Sequence, residues 1–298
     1  MTKHPTWTVR AVPTAAVPGG RTAEVTALEA VIDLHSHILP GIDDGSVRDR
    51  DSVEMARLAA ADGISVVACT PHRGYSYDTT PERVVDGIEA LQPQIDAAGI
   101  PLRLVSGLEI AIDRAIQMDE QELRAATLGG NGRWLLIEMP FHGWPLELPD
   151  LLTALEVRGF SAVIAHPERS ESVQAMPDRM RDIVGRGAIL QLTAASLTGE
   201  NGPRPLRCAE HLLHAGFAHI IASDMHSHTW RPPGLAEGLK AAALMFHAKP
   251  DDLRWMVDEV PRAVLDGRDV RPPRLPGAPK LEPVKKRDRS APRGPRKT

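Results

Sequence analysis

The chain has 298 residues, 42% of them hydrophobic and 25% charged, enough to enclose a sizeable core as one large α/β domain. Its apolar runs are short and broken by Gly, Pro or charge, which excludes a segment of the ~20 apolar residues needed to cross a bilayer, and two cysteines (Cys69 and Cys208) exclude a disulfide framework. The net charge of −4 conceals a division: residues 271–298 hold ten Lys or Arg against two acids, net +8, while the first 270 residues hold 25 basic against 37 acidic, net −12, an acidic body that argues against a nucleic-acid groove.

In chain order, residues 1–29 come first, interrupted by Pro5, Pro13 and Pro18, without the apolar core of a secretory signal; they read as a flexible extension of a soluble, cytoplasmic protein. From residue 30 to 270 short β-branched runs alternate with longer amphipathic segments, the pattern of repeated β-α units around a parallel sheet. The runs are Ala30–Leu34, Ser65–Cys69, Leu102–Ser106, Trp134–Ile137, Ala162–Ala165, Ala188–Leu192 and His219–Ala222. Helices are expected over Arg50–Ala61, Pro81–Ala98, Leu148–Arg158, Asp178–Arg186 and Pro205–Ala215, with Pro81 at a first turn and Gly63, Gly99, Gly159, Gly187 and Gly216 at the stops. A closed or nearly closed barrel of seven parallel strands satisfies this rhythm. The tail 271–298 contains seven prolines and is expected to be disordered, with enough positive charge to meet an anionic membrane surface.

Catalytic groups in such architectures gather at the C-terminal ends of the strands. Metal-ligating residues fall there repeatedly: His35 and His37 after the first run, His72 after the second, Glu109 after the third, Glu138 after the fourth, His166 after the fifth, Asp224 and His226 after the seventh. Only the sixth, ending near Gln191 and Thr193, offers no strong ligand. His35 and His37 stand at i and i+2, so one face of a strand presents both, and Asp33, Asp43 and Asp44 add carboxylates that would repel one another without cations. Taken alone, each histidine is better read as an ordinary structural one; ligands at six of the seven strand ends point to a shared metal site.

The segments Asp33-Leu-His-Ser-His37, His37-Ile-Leu-Pro-Gly-Ile-Asp-Asp-Gly45, Thr70-Pro-His72, Gly107-Leu-Glu109, His166-Pro-Glu-Arg169 and Ala222-Ser-Asp-Met-His226 closely resemble the PHP (polymerase and histidinol phosphatase) superfamily, and within it the bacterial capsule and exopolysaccharide tyrosine-protein phosphatases. The resemblance spans roughly Val31 to Asp266. It implies a distorted seven-stranded TIM-like (βα)7 barrel and a cluster of three metal ions, commonly Mn2+, with Zn2+ or Fe as alternatives. It places His35, His37, Glu109 and Asp224 on one ion, Glu109, Glu138 and His166 on a second, and Asp44, His72 and His226 on a third. It further implies hydroxide generated on the metal as nucleophile, Arg169 and Arg231 as phosphate-binding residues, a polysaccharide-export tyrosine kinase as phosphotyrosine substrate, and homo-oligomers. Phosphotyrosine leaves as a phenol of pKa ~10, which lessens the need for a general acid. One departure is Glu259-Val-Pro-Arg262, where these relatives usually carry Asn before Pro.

A cysteine-dependent phosphatase needs Arg six positions after its Cys; Tyr75 and His214 stand there instead. Two alternatives share the constellation: hydrolysis of a small metabolite such as histidinol phosphate, and a non-catalytic regulatory partner of an export kinase. His142 and His228 are close to the site in sequence and read as solvent-facing loop residues, while His211, His214, His219 and His247 receive no catalytic role.

Overall fold

The computed structural model describes residues 30–74, 76–273 and 275, and the seven expected strands become nine because the second and third apolar runs are each followed, after a break, by a further short strand. One parallel sheet has the order β1 (Val31–Ser36), β2 (Ile64–Cys69), β4 (Arg103–Ser106). A second has the order β3 (His72–Arg73), β5 (Glu109–Ala111), β6 (Trp134–Glu138), β7 (Ser161–Ala165), β8 (Ile189–Thr193), β9 (Ala218–Ala222), also parallel throughout.

Both breaks have local causes. Pro71, between β2 and β3, has no N–H with which to continue a ladder, and its carbonyl instead accepts the Glu109 N–H at 3.2 Å. Gly107, between β4 and β5, passes so near its neighbours that a Cβ there would lie 3.0 Å from the side chains of Leu128 and Thr70. The expected closed barrel is therefore corrected to an α/β fold with two parallel sheets. Their outer strands meet at a single bridge, Ser36 to Met225, flanked by His37 N–H to Met225 O and Asp224 N–H to His35 O, both 2.9 Å. Asp33 clamps the same seam: its carboxylate accepts the Ser223 N–H at 3.0 Å and the Ser223 hydroxyl.

The connections are helical: α1 (Asp49–Ala61), α2 (Pro81–Ala97), α3 (Ile112–Gln117), α4 (Glu120–Ala125), α5 (Leu148–Val157), α6 (Glu171–Ala175), α7 (Met180–Gly185), α8 (Ala194–Thr198), α9 (Pro203–His214), α10 (Leu235–Met245) and α11 (Glu259–Leu265). Thr80 caps α2 by accepting the Arg83 N–H at 3.3 Å, with Pro81 preset for the first turn. Asp62 caps α10 from a distant loop, accepting the Leu235 and Ala236 N–H groups. With helices over the sheets, β6 to β9 are apolar almost throughout and buried, and the polar side chains kept inside are concentrated at one end. The expectations for residues 1–29, and for the tail beyond 275, lie outside the described residues.

Candidate metal centre

Period-two alternation sets Asp33, His35 and His37 on one face of β1 and its continuation, and all three are fully buried. Gly45 lets the following loop fold back onto His37: a Cβ at Gly45 would fall 2.1 Å from the His37 carbonyl oxygen. That turn delivers Asp43 to the other side of the imidazole. Its Oδ2 accepts from His37 Nδ1 at 2.6 Å and from the His72 N–H at 3.0 Å. Across the fold, Gln191 Oε1 lies 3.0 Å from His35 Nδ1 and accepts the His166 N–H at 3.3 Å, so the amide oxygen faces both donors. His226 Nδ1 lies 2.9 Å from the Asp224 carbonyl oxygen.

In the neutral form, these contacts favour the Nδ1–H tautomer of all three histidines. An Nδ1–H donated to oxygen leaves Nε2 as a bare lone pair in a neutral imidazole. For His35 that lone pair is 3.2 Å from Glu109 Oε2 and 3.4 Å from Asp224 Oδ1; for His37 both distances are 3.4 Å. The two Nε2 atoms are themselves 3.3 Å apart. Glu109 Oε2 is buried and makes no hydrogen bond. With the imidazoles neutral, acceptors face acceptors in a dry interior; without a cation the surrounding carboxylates instead raise the pKa of His35 and His37 against the effect of burial, so a proton or a metal ion must fill the gap.

The remaining expected residues join the same array. His166 Nε2 is 2.8 Å from Glu109 Oε1. His72 Nδ1 is 3.0 Å from Glu109 Oε2 and 3.7 Å from Glu138 Oε2, and its Nε2 is 3.5 Å from Asp44 Oδ1. His226 Nε2 is likewise 3.5 Å from Asp44 Oδ1. Four sets of ligand atoms converge within 4.8 Å: His37 with Asp44, His72 and His226; His35 with His166 and Asp224; His35 with His37 and Glu109; His72 with Glu109 and Glu138. The expected third group is thus joined by His37, while Glu138 stands with His72 rather than with His166.

Electrostatics agree with this crowding. Burial alone would raise the pKa of Glu109, but His35, His72 and His166 around it hold it well below the usual carboxylate range. Glu138 is pushed up to about 8, by burial first and then by the Glu109 charge, so two neighbouring acids cannot both ionise at no cost. Burial lowers His166 to about 4, which keeps its imidazole neutral and able to ligate. Backbone strain collects here too: the positive-φ residues other than glycine, among those described, are His166 (φ 31°), Asp224 (φ 54°) and His247 (φ 51°), and the first two sit in the cluster.

Arg169 and Arg231 meet on one carboxylate oxygen. Arg169 reaches Asp224 Oδ2 at 2.8 Å, Arg231 pairs with the same atom, and Arg231 Nε is buried without a partner. The Arg169 guanidinium also lies over the Phe141 ring, 4.9 Å from its centre. His142 is exposed and paired with Glu171 at 3.0 Å, outside the cluster, while His228 keeps a buried Nδ1 that makes no hydrogen bond and is absent from the ligand sets. Cys69 and Cys208 are buried thiols whose pKa values burial raises, to about 12 for Cys208. Asp43 and Gln191 are the residues that reading by strand ends left outside the site. The doubled Asp43-Asp44 was a signal; an amide at the end of β8 carried none.

Residues 31–252 match the family model described as capsular polysaccharide synthesis, CpsB/CapC. The chain belongs to the CpsB/CapC family. All the clustered residues lie inside the matched span. A tyrosine-protein phosphatase, YwqE of Bacillus subtilis (strain 168), is 32% identical over 260 residues, covering 86% of this chain and 98% of the relative. A putative tyrosine-protein phosphatase, CapC of Staphylococcus aureus, is 31% identical and covers 68% of this chain and 79% of its own length. Among solved structures, one described for YwqE from B. subtilis and CpsB from Streptococcus pneumoniae, "unique metal-dependent tyrosine phosphatases", aligns with a TM-score of 0.75 at 31% identity, covering 86% of this CpsB/CapC member and all of that chain. A resiniferatoxin-binding protein from Rhodobacter sphaeroides, at 14% identity and TM-score 0.55, covering 80% of this chain and 92% of its own, shares the fold alone.

Proposed function

We propose that this chain is a metal-dependent protein-tyrosine phosphatase that serves capsular or exopolysaccharide synthesis. The observation that carries the reading is the set of bare imidazole nitrogens facing buried carboxylates at 3.2–3.4 Å, beside two arginines, in a chain of this family. Three ions suit the donor set: one among His35, His37, Glu109 and Asp224, one among Glu109 and Glu138 with His72 or His166, and one among Asp44, His72 and His226. Mn2+ is the metal proposed, on the family resemblance; the carboxylates suit it, while the imidazoles would equally accept Zn2+ or Fe. Such ions, when bound, supply a water acidified to near neutrality and positive charge against the phosphate oxygens.

The chain's own side chains orient and bind. Asp43, Gln191 and the Asp224 carbonyl hold His37, His35 and His226 with Nε2 turned inward. Arg169 and Arg231 stand at the edge of the cluster with N–H groups left over from Asp224, the fork that grips a phosphoryl group through parallel hydrogen bonds. The tyrosyl oxygen, a good leaving group, departs without a dedicated acid. If β2 with β3 and β4 with β5 count as interrupted single strands, the two sheets make a distorted (βα)7 ring whose C-terminal mouth is this site. Residues 30–270 form the phosphatase domain in this reading, 1–29 and 271–298 are appendages, and the phosphoprotein is a cytoplasmic segment of an export kinase near the membrane. No helix among the described residues is long and apolar enough to cross a membrane.

The test is turnover of a phosphotyrosine peptide and of histidinol phosphate by Mn2+-loaded protein, before and after exhaustive chelation. The reading expects the peptide to be hydrolysed, activity to vanish on chelation and Mn2+ to restore it. Preference for histidinol phosphate, or turnover that chelation leaves intact, contradicts it.

A further inference from the structure

Beside the cluster opens a cavity of about 850 Å³. Asp44, His72 and Glu138 form its inner end, so it is continuous with the metal centre rather than a separate pocket. Its sides come from three loops: the one after β3, the β5–α3 junction and the long turn after β6. Tyr77, Ile112, Ile116, Phe141 and Trp144 give it an apolar and aromatic wall. Tyr77 lies nearly parallel to His72, with ring centres 6.0 Å apart and an interplanar angle of 15°, and Phe141 is nearly parallel to His166 at 6.0 Å and 5°. Two flat aromatic surfaces therefore start at metal-centre histidines and lead outward, where the ring of an aryl phosphate must lie once its phosphoryl group reaches the cluster.

The volume is near the upper end for a small-molecule site, roughly 300–1,000 Å³, and exceeds what one tyrosyl ring fills. The neighbours of that ring must occupy the remainder, and the wall states their charge. Asp113 and Glu147 line the outer cavity, and among the described residues neither is paired with a cation and no Lys or Arg contributes to the lining. The opposite groove, across Phe141, is bordered by Arg169 and Arg204.

We propose that this cavity is the peptide-recognition site of the phosphatase: it takes the phosphotyrosyl ring against Tyr77 and Phe141, and selects substrates with a Lys or Arg beside the phosphotyrosine through Asp113 and Glu147. The inference rests on the phosphotyrosine reading above and adds a sequence preference to it. A half-exposed and an exposed carboxylate attract a lysine and repel a glutamate, and at surface-pair strength the difference is about tenfold in kcat/KM.

The experiment compares two phosphotyrosine peptides that differ only in lysine or glutamate flanking the phosphotyrosine, at fixed Mn2+ and moderate salt, on the full chain, on Asp113→Lys and Glu147→Lys variants and on the double variant that combines them. The expected result is about tenfold faster turnover of the lysine peptide by the parent, a ratio that shrinks with added salt and inverts in the double variant. Circular dichroism checks that the variants are folded; a fold defect lowers both rates and cannot invert their ratio. Equal rates for the two peptides, or a ratio unmoved by the charge reversals, overturn the recognition site while leaving the phosphatase standing. A glutamate preference overturns it too and places the peptide in the groove beside Arg204. If neither peptide is turned over, the underlying phosphotyrosine reading falls and takes this site with it.

Discussion

Asp43→Asn isolates the support of the centre from the centre itself. The aspartate touches no other carboxylate of the cluster, yet its oxygens receive His37 Nδ1 at 2.6 Å, the His72 N–H at 3.0 Å and the Gly45 N–H at 3.0 Å. Asparagine keeps the shape but replaces one acceptor oxygen with an N–H2 group and removes the charge. If the amide nitrogen faces His37, the imidazole loses its charged partner and its preference for Nδ1–H. A hydrogen bond to a charged group contributes about 1.5–3 kcal/mol, a ten- to hundredfold change in an equilibrium constant, and loss of such a supporting partner costs metal sites about the same factor. We expect Mn2+ affinity, read by competition with a chromophoric chelator, to weaken by about ten- to hundredfold, with kcat largely recovered at saturating Mn2+. Unaltered affinity, or a loss of kcat that Mn2+ does not restore, would refute the positioning argument.

Three further outcomes follow from the same geometry. His166→Ala should reduce phosphatase kcat/KM by at least about a hundredfold, whereas His247→Asn, at an exposed left-handed position that asparagine tolerates, should not change it; equal activities would show that the cluster was misassigned. Arg231→Lys keeps the charge but loses the planar fork, so steady-state kinetics should show kcat/KM for a phosphotyrosine peptide falling about tenfold or more, and parent-like kinetics would remove Arg231 from phosphate binding. His219, buried in β9, accepts the Leu190 N–H on Nδ1 at 3.1 Å, and burial lowers its pKa from 6.5 to about 4. Because the folded value is the depressed one, the unfolded chain takes the proton first, and stability is lost as pH falls from about 6.5 to 4, by roughly 3 kcal/mol. Urea unfolding at pH 7, 5.5 and 4.5 should therefore show a steeper acid loss for the parent than for His219→Gln; parallel losses would mean that His219 takes up its proton at the same pH in the folded and unfolded chains.

Much of this site was legible because metal ligands obey two rules at once: they are Asp, Glu or His, and they occur where a buried strand ends. His35, His37 and Asp224 satisfy both, and the structure brings them within 3.4 Å of one another. The strands themselves are legible from apolar runs bounded by Gly and charge, but the two short strands that follow β2 and β4 are not. β3 has only two residues and β5 three, too few for alternation to register, and their separation from β2 and β4 depends on Pro71 and on the close passage at Gly107, a tertiary contact. Gln191 was passed over for a similar reason: its role is to receive His35 from a strand 156 positions away in the chain, and no local pattern encodes that. The partition of ligands among ions also depends on which side of Glu109 each imidazole approaches, which spacing does not specify.

The central claim is that these imidazoles and carboxylates hold catalytic cations. The most direct measurement is an anomalous difference map at the manganese edge from crystals grown with Mn2+. The account predicts strong peaks enclosed by His35, His37, Glu109 and Asp224 and by Asp44, His72 and His226; a map featureless there, in crystals of a protein that still hydrolyses phosphotyrosine, would contradict it.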